Sequence, residues 1–151
     1  MFDDLTDLYQ QVILDHAKSP RNYHVMEHPS CQAQGHNPLC GDHVTLYLKL
    51  DGDKLTDLSW QGNGCAISKA STSLLTDALK GKTRAEAKAM FAKVHDMITT
   101  GKVDESAGKL AAFAGVHKFP ARVKCAILSW HAAMAAIDGQ AEPVTTERED
   151  T

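Results

Sequence analysis

The chain has 151 residues, which suits one domain around a single core, and 43% of them are hydrophobic, enough for that core without disulfide staples. A formal net charge of −3 argues against the clustered Lys and Arg surface that nucleic-acid binding needs. No apolar run approaches the roughly 20 residues of a membrane span, and the acidic start Met1-Phe2-Asp3-Asp4 lacks the charged and apolar regions of a signal peptide, so a cytoplasmic protein is expected, one whose cysteines bind metal or react rather than form disulfides.

Residues 4–17 predict a helix. Leu5, Leu8, Tyr9, Val12, Ile13 and His16 recur at spacings of three and four, and Pro20 stops the run. Residues 20–38 hold three prolines and little periodicity, which predicts loop with a short strand near Cys31-Gln32-Ala33. From Asp42 to Leu50 the residues alternate. Val44, Leu46, Leu48 and Leu50 face one way, and Thr45, Tyr47 and Lys49 the other. Asp51-Gly52-Asp53-Lys54 is a turn, and Leu55 to Gln61 alternates again through Leu58 and Trp60, completing a hairpin.

After Gly62-Asn63-Gly64 the period changes. Ile67, Ala70, Leu74, Leu75, Ala78 and Leu79 predict a helix closed by Gly81. Thr83 with Glu86 reads as a capping box. The helix it opens runs through Ala87, Met90, Phe91, Val94, Met97 and Ile98 to Gly101, with the methionines as packing residues. Lys109 to Ala114 predicts a short helix. Pro120 suits a first helical position, and an apolar helix follows through Val123, Ile127, Leu128, Trp130, Met134 and Ile137 to Gly139. Residues 140–151 read as a disordered acidic tail, which leaves a domain over 1–139. The order helix, strands, helices predicts an α+β fold, an antiparallel three-stranded sheet covered on one face by helices.

Three cysteines sit beside glycines or a proline. Cys40 lies in Asn37-Pro38-Leu39-Cys40-Gly41-Asp42, Cys65 follows Gly62-Asn63-Gly64, and Cys125 follows Pro120-Ala121-Arg122-Val123-Lys124. Cys40 and Asp42, two apart at the mouth of a strand, can face the same way. Cys65 opens a helix, where the backbone N–H groups and the dipole favour a thiolate. Three thiols and a carboxylate can fill a tetrahedral zinc site or hold part of an iron–sulfur cluster. There is no C-x-x-C pair, so spacing is a weak signal, and each cysteine by itself reads equally as a small buried hydrophobe.

The three segments together resemble the signature blocks of the NifU N-terminal/IscU family of iron–sulfur cluster assembly proteins, over roughly residues 4–138. The resemblance implies an IscU/SufE-like fold, with Cys40, Asp42, Cys65 and Cys125 as the metal ligands. Two departures set the branch. Lys124 stands where scaffolds carry a histidine before the third cysteine, and the Cys65–Cys125 stretch is longer, with extra residues around Gly108–His117. Both resemble SufU, the zinc-dependent sulfurtransferase branch. That branch implies bound Zn²⁺, a SufS-type cysteine desulfurase as sulfur donor, downstream SUF assembly proteins as recipients, and no nucleic-acid or membrane partner. Cys40, in a glycine-flanked loop, is the expected sulfur acceptor. The alternative is a scaffold holding a transient [2Fe–2S] cluster.

Arg122, one helical turn before Cys125, is a candidate to hold Asp42 or a developing thiolate; a solvent-facing charge near a helix start is the competing reading. Cys31, outside the three blocks, reads as a strand or loop residue without chemistry. His43 should point away from Asp42, and Lys124 is expected in solvent.

Overall fold

In the computed structural model, residues 4–38, 41–139 and 144–145 are described, with side chains over 10–38 and 41–139. Helix α1 (Asp4–Lys18) stops short of Pro20, whose ring and missing N–H cannot continue it. Strands β1 (Cys31–Asn37), β2 (Asp42–Asp51) and β3 (Lys54–Asn63) then form an antiparallel meander. The alternation expected in β2 is present: Val44, Leu46 and Leu48 are buried, while His43 and Lys49 are exposed. Leu50 is only half-buried, where the ladder with β3 shifts register between Lys49 and Leu50.

Strand β1 is longer than the three residues expected. Its core face carries Ala33, Gly35 and Asn37 rather than branched apolar residues. The reason lies in what covers it. A Cβ on Gly35 would come within 3.1 Å of Leu128 Cδ1, so the strand gives up side chains to admit a neighbouring helix. Val144 and Thr145 add a two-residue strand, β4, parallel to β1 at Gly35 and His36, so the sheet order is β3-β2-β1-β4. Two residues are too few to show alternation. The rest of the 140–151 stretch lies outside the described residues.

Helices α2 (Ala66–Leu79), α3 (Arg84–Thr100) and α4 (Pro120–Ile137) follow, with a 3-10 segment (Glu105–Lys118) before α4. The capping box of α3 is complete. Thr83 Oγ1 accepts from Glu86 N–H at 3.1 Å, and Glu86 Oε1 accepts from Thr83 N–H at 3.0 Å. The 3-10 segment is longer than the expected 109–114 helix and is kinked at Gly108. It buries Leu110, Phe113 and Val116. Helix α4 lies over β1 and β2, and α2 packs on β3, α1 and α4. The core between them holds Leu46, Leu48, Trp60, Phe113, Leu128 and Trp130. The fold is thus α+β, as expected, and no helix among the described residues is long and apolar enough to cross a membrane.

Polar bonds fix the helices relative to the sheet. Trp60 Nε1 donates to the Arg21 carbonyl at 3.0 Å, and Arg21 N–H donates to Ser73 Oγ at 2.8 Å. These fasten the segment after α1 to β3 and α2. Ser71 Oγ donates to the Ala126 carbonyl at 2.5 Å, tying α2 to α4. His16 is buried with Nδ1 2.7 Å from Ser73 Oγ. Burial, helped by nearby Arg21, pushes the His16 pKa down, so the folded chain holds it neutral.

Two outcomes follow. Thr83→Ala should cost about 1 kcal/mol of stability in denaturant titration. It should leave metal binding intact, because Thr83 pairs with Lys54 at the hairpin end of β3, opposite Asn63. For His16, the folded pKa lies below the unfolded one. The stability it contributes is complete above about pH 6.5 and is lost as pH falls. The melting temperature of His16→Gln should therefore decline less than that of wild type between about pH 7.5 and pH 5.5; an equal decline would place the acid sensitivity elsewhere.

Candidate metal centre

The site forms where one end of the sheet meets the first turns of two helices. Asp42 is the first residue of β2 and points to the same buried face as Val44, Leu46 and Leu48. Across the ladder its partner is Asn37, the last residue of β1, also fully buried. Cys65 is the N-cap of α2, with an extended backbone (φ −73°, ψ 166°), and its thiol makes no capping bond. Cys125 is fully buried in the second turn of α4, behind Pro120 at the helix start, with Sγ 3.6 Å from the Ala121 carbonyl.

A carboxylate oxygen of Asp42 and the Sγ atoms of Cys65 and Cys125 all lie within 4.8 Å of one another. The two Asp42 oxygens divide the work. Oδ1 accepts the Cys65 backbone N–H at 2.8 Å, pinning the loop that starts α2. Oδ2 lies 3.9 Å from Cys65 Sγ and 3.4 Å from Asn37 Nδ2. Gly64 permits this approach, because a Cβ there would collide with Asp42 Oδ1.

The donor set fits a zinc-like ion. Tetrahedral zinc with bonds of roughly 2.0–2.3 Å sets ligand-to-ligand edges of about 3.5–3.8 Å. The 3.9 Å between Cys65 Sγ and Asp42 Oδ2 is close to that, and the 4.8 Å bound needs only small side-chain movement. Charge points the same way. Two anions 4.8 Å apart repel by about 3 kcal/mol at an effective dielectric near 20. A cation shared by three ionised groups so placed would relieve that repulsion. The mixed sulfur and oxygen set suits zinc or iron better than magnesium or calcium.

The other candidates fall in different places. Cys40 lies outside the described residues. Arg122 is exposed on the first turn of α4, one turn ahead of Cys125. Lys124 is half-buried rather than in solvent. Cys31 stands at the far end of β1, paired with Leu48, and burial pushes its thiol pKa up. That is an unreactive setting, as expected. His43 is exposed on the opposite sheet face. Asn37 was missed as a site residue. A polar residue before a proline reads in the sequence as a turn, and only the strand register turns it inward.

The pattern of the NifU-like N terminal domain matches residues 8–137. The chain belongs to this family. Within it, the chain is 47% identical over 131 residues to the zinc-dependent sulfurtransferase SufU of Bacillus subtilis, covering 85% of this chain and 88% of that protein. It is 39% identical over 135 residues to the iron-sulfur cluster assembly scaffold protein IscU of Streptococcus pyogenes, covering 88% and 84%. A putative SUF-system scaffold protein from Fervidobacterium islandicum superposes with a TM-score of 0.80 at 37% identity, covering 84% of this chain and 94% of that one. The NifU-like N-terminal protein of Brucella abortus gives 0.79 at 26%, covering 91% and 97%.

Gly64→Ala tests how this family member builds its site. The added methyl must push Asp42 away, an overpacking cost of about 1–3 kcal/mol. The melting temperature should fall, and less metal should survive dialysis, as read by elemental analysis. Unchanged metal content would show that the Asp42–Cys65 contact does not shape the site.

Proposed function

We propose that this NifU-like protein is a zinc-dependent sulfurtransferase that takes sulfur from a SufS-type cysteine desulfurase and passes it to SUF cluster-assembly proteins. The observation that carries this reading is the convergence of Asp42, Cys65 and Cys125 within 4.8 Å, in a chain 47% identical to a protein named for zinc-dependent sulfur transfer. Cys40, two residues before Asp42 in the sequence, completes the proposed ligand set. Zinc, when bound, supplies redox-inert positive charge that keeps closely spaced thiolates unoxidised and anionic.

Cys40 is the proposed acceptor. Cys65 is held at a helix start and Cys125 inside a helix, whereas Cys40 stands in the sequence beside Gly41, between Asn37 and Asp42. In transfer, the Cys40 thiolate attacks the terminal sulfur of the desulfurase persulfide. A new S–S bond forms on Cys40, the old one breaks, and the electron pair leaves on the desulfurase cysteine as thiolate. Arg122, one turn from Cys125, is proposed to steady Asp42 or the developing negative charge.

The second reading, a scaffold for a transient [2Fe–2S] cluster, draws on the 39% and 32% identities to proteins named as IscU scaffolds. Lys124 and the long 3-10 segment before α4 favour the transferase. Protein purified without added metal should carry about one zinc per chain and raise desulfurase turnover. Cys40→Ala should keep its fold but carry no added sulfur in mass spectra after incubation with desulfurase and cysteine. Sulfur persisting on Cys40→Ala would move the acceptor elsewhere. A stable, transferable cluster on the wild type, with zinc giving no gain in rate, would decide for the scaffold.

A further inference from the structure

We propose that Asn37 is a positioning residue that holds Asp42 and Cys125 in ligand geometry through the two hydrogens of one amide nitrogen. The proposal rests on the metal reading above and deepens it. Asn37 Nδ2 lies 3.4 Å from Asp42 Oδ2 and 3.5 Å from Cys125 Sγ. The oxygen it faces is the one left over after Oδ1 has bonded the Cys65 backbone. An amide nitrogen carries two hydrogens and only donates, so it can serve two acceptors at once. Carboxylate and thiolate are both acceptors in the form that binds metal.

Burial shows that this placement is selective. Asn37 is fully buried at the end of a strand face otherwise lined by Ala33 and Gly35. Burying an amide in such a place is costly unless its polar atoms are used. An asparagine before a proline would serve a surface turn equally well, but this side chain points inward because β1 pairs in register with β2, Asn37 opposite Asp42. It therefore bridges a group on β2 and a group on α4. Partners of this kind, which orient metal ligands without touching the metal, govern affinity by roughly 10–100-fold.

The test uses the full chain and measures metal, not activity. Asn37→Leu keeps the volume and removes both donors; Asn37→Ser keeps one donor in a smaller side chain. Zinc affinity is read by competition with a chelating dye, and site geometry by the visible bands of the cobalt-substituted protein. The expected result is about a 10–100-fold loss of zinc affinity in Asn37→Leu, shifted cobalt bands, and an intermediate position for Asn37→Ser. Thr83→Ala, destabilised at the other end of the molecule, should keep wild-type cobalt bands. Wild-type affinity and bands in Asn37→Leu would overturn the proposal. Should Asn37→Leu fail to fold, the same wild-type values in Asn37→Ser would overturn it. A wild type that binds neither zinc nor cobalt would overturn the metal reading itself, and the Asn37 role with it.

Discussion

The buried carboxylate of Asp42 is the constraint on which the site depends. A carboxylate cut off from water is unfavourable by several kcal/mol unless it is bonded or neutralised. Here one oxygen takes the Cys65 backbone N–H and the other faces Cys65 Sγ and the Asn37 amide. Those contacts join the end of β1, the start of β2 and the start of α2. Through the amide they reach Cys125 on α4. Four elements meet because a single acidic group must be satisfied, and the arrangement that satisfies it also gathers the metal donors.

Such a meeting needs stiff supports. Close approach of α4 to β1 is possible because Gly35 has no Cβ to meet Leu128. The bond from Ser71 to the Ala126 carbonyl fixes α2 against α4 one residue beyond Cys125. The two helices that position Cys65 and Cys125 are thus locked together inside a close-packed core, where small shifts are resisted. A loosely held site would spread its sulfur atoms and lose the short ligand-to-ligand edges zinc needs.

Relatives of this chain are named as a transferase and as scaffolds. The 3-10 segment over 105–118 joins α3 to α4. It is no disposable loop, since it buries Leu110, Phe113 and Val116 and packs on α3, α1 and α4. The segment leads directly into the helix that bears Lys124 and Cys125. The path between Cys65 and Cys125 is thereby built into the core.

What the sequence determined by itself were the features encoded locally. Alternation marked β2 and β3, helical spacing marked α2, α3 and α4, and Thr83 with Glu86 marked a cap, because each signal is complete within a few residues. The glycines and prolines beside the cysteines marked the positions of chemistry, and three of those candidates, Asp42, Cys65 and Cys125, meet in space. Other features needed partners far away in the chain. The full length of β1 was hidden because its core face is Ala, Gly and Asn, made small and polar by α4 and by the site. The Val144–Thr145 strand exists only through its pairing with Gly35 and His36. Asn37 became a site residue only through strand register, and the two oxygens of Asp42 acquired separate tasks only once the loop before α2 folded against them. These were decided by tertiary structure, because a hydrogen bond between residues 23 or 88 positions apart leaves no periodic trace in the sequence.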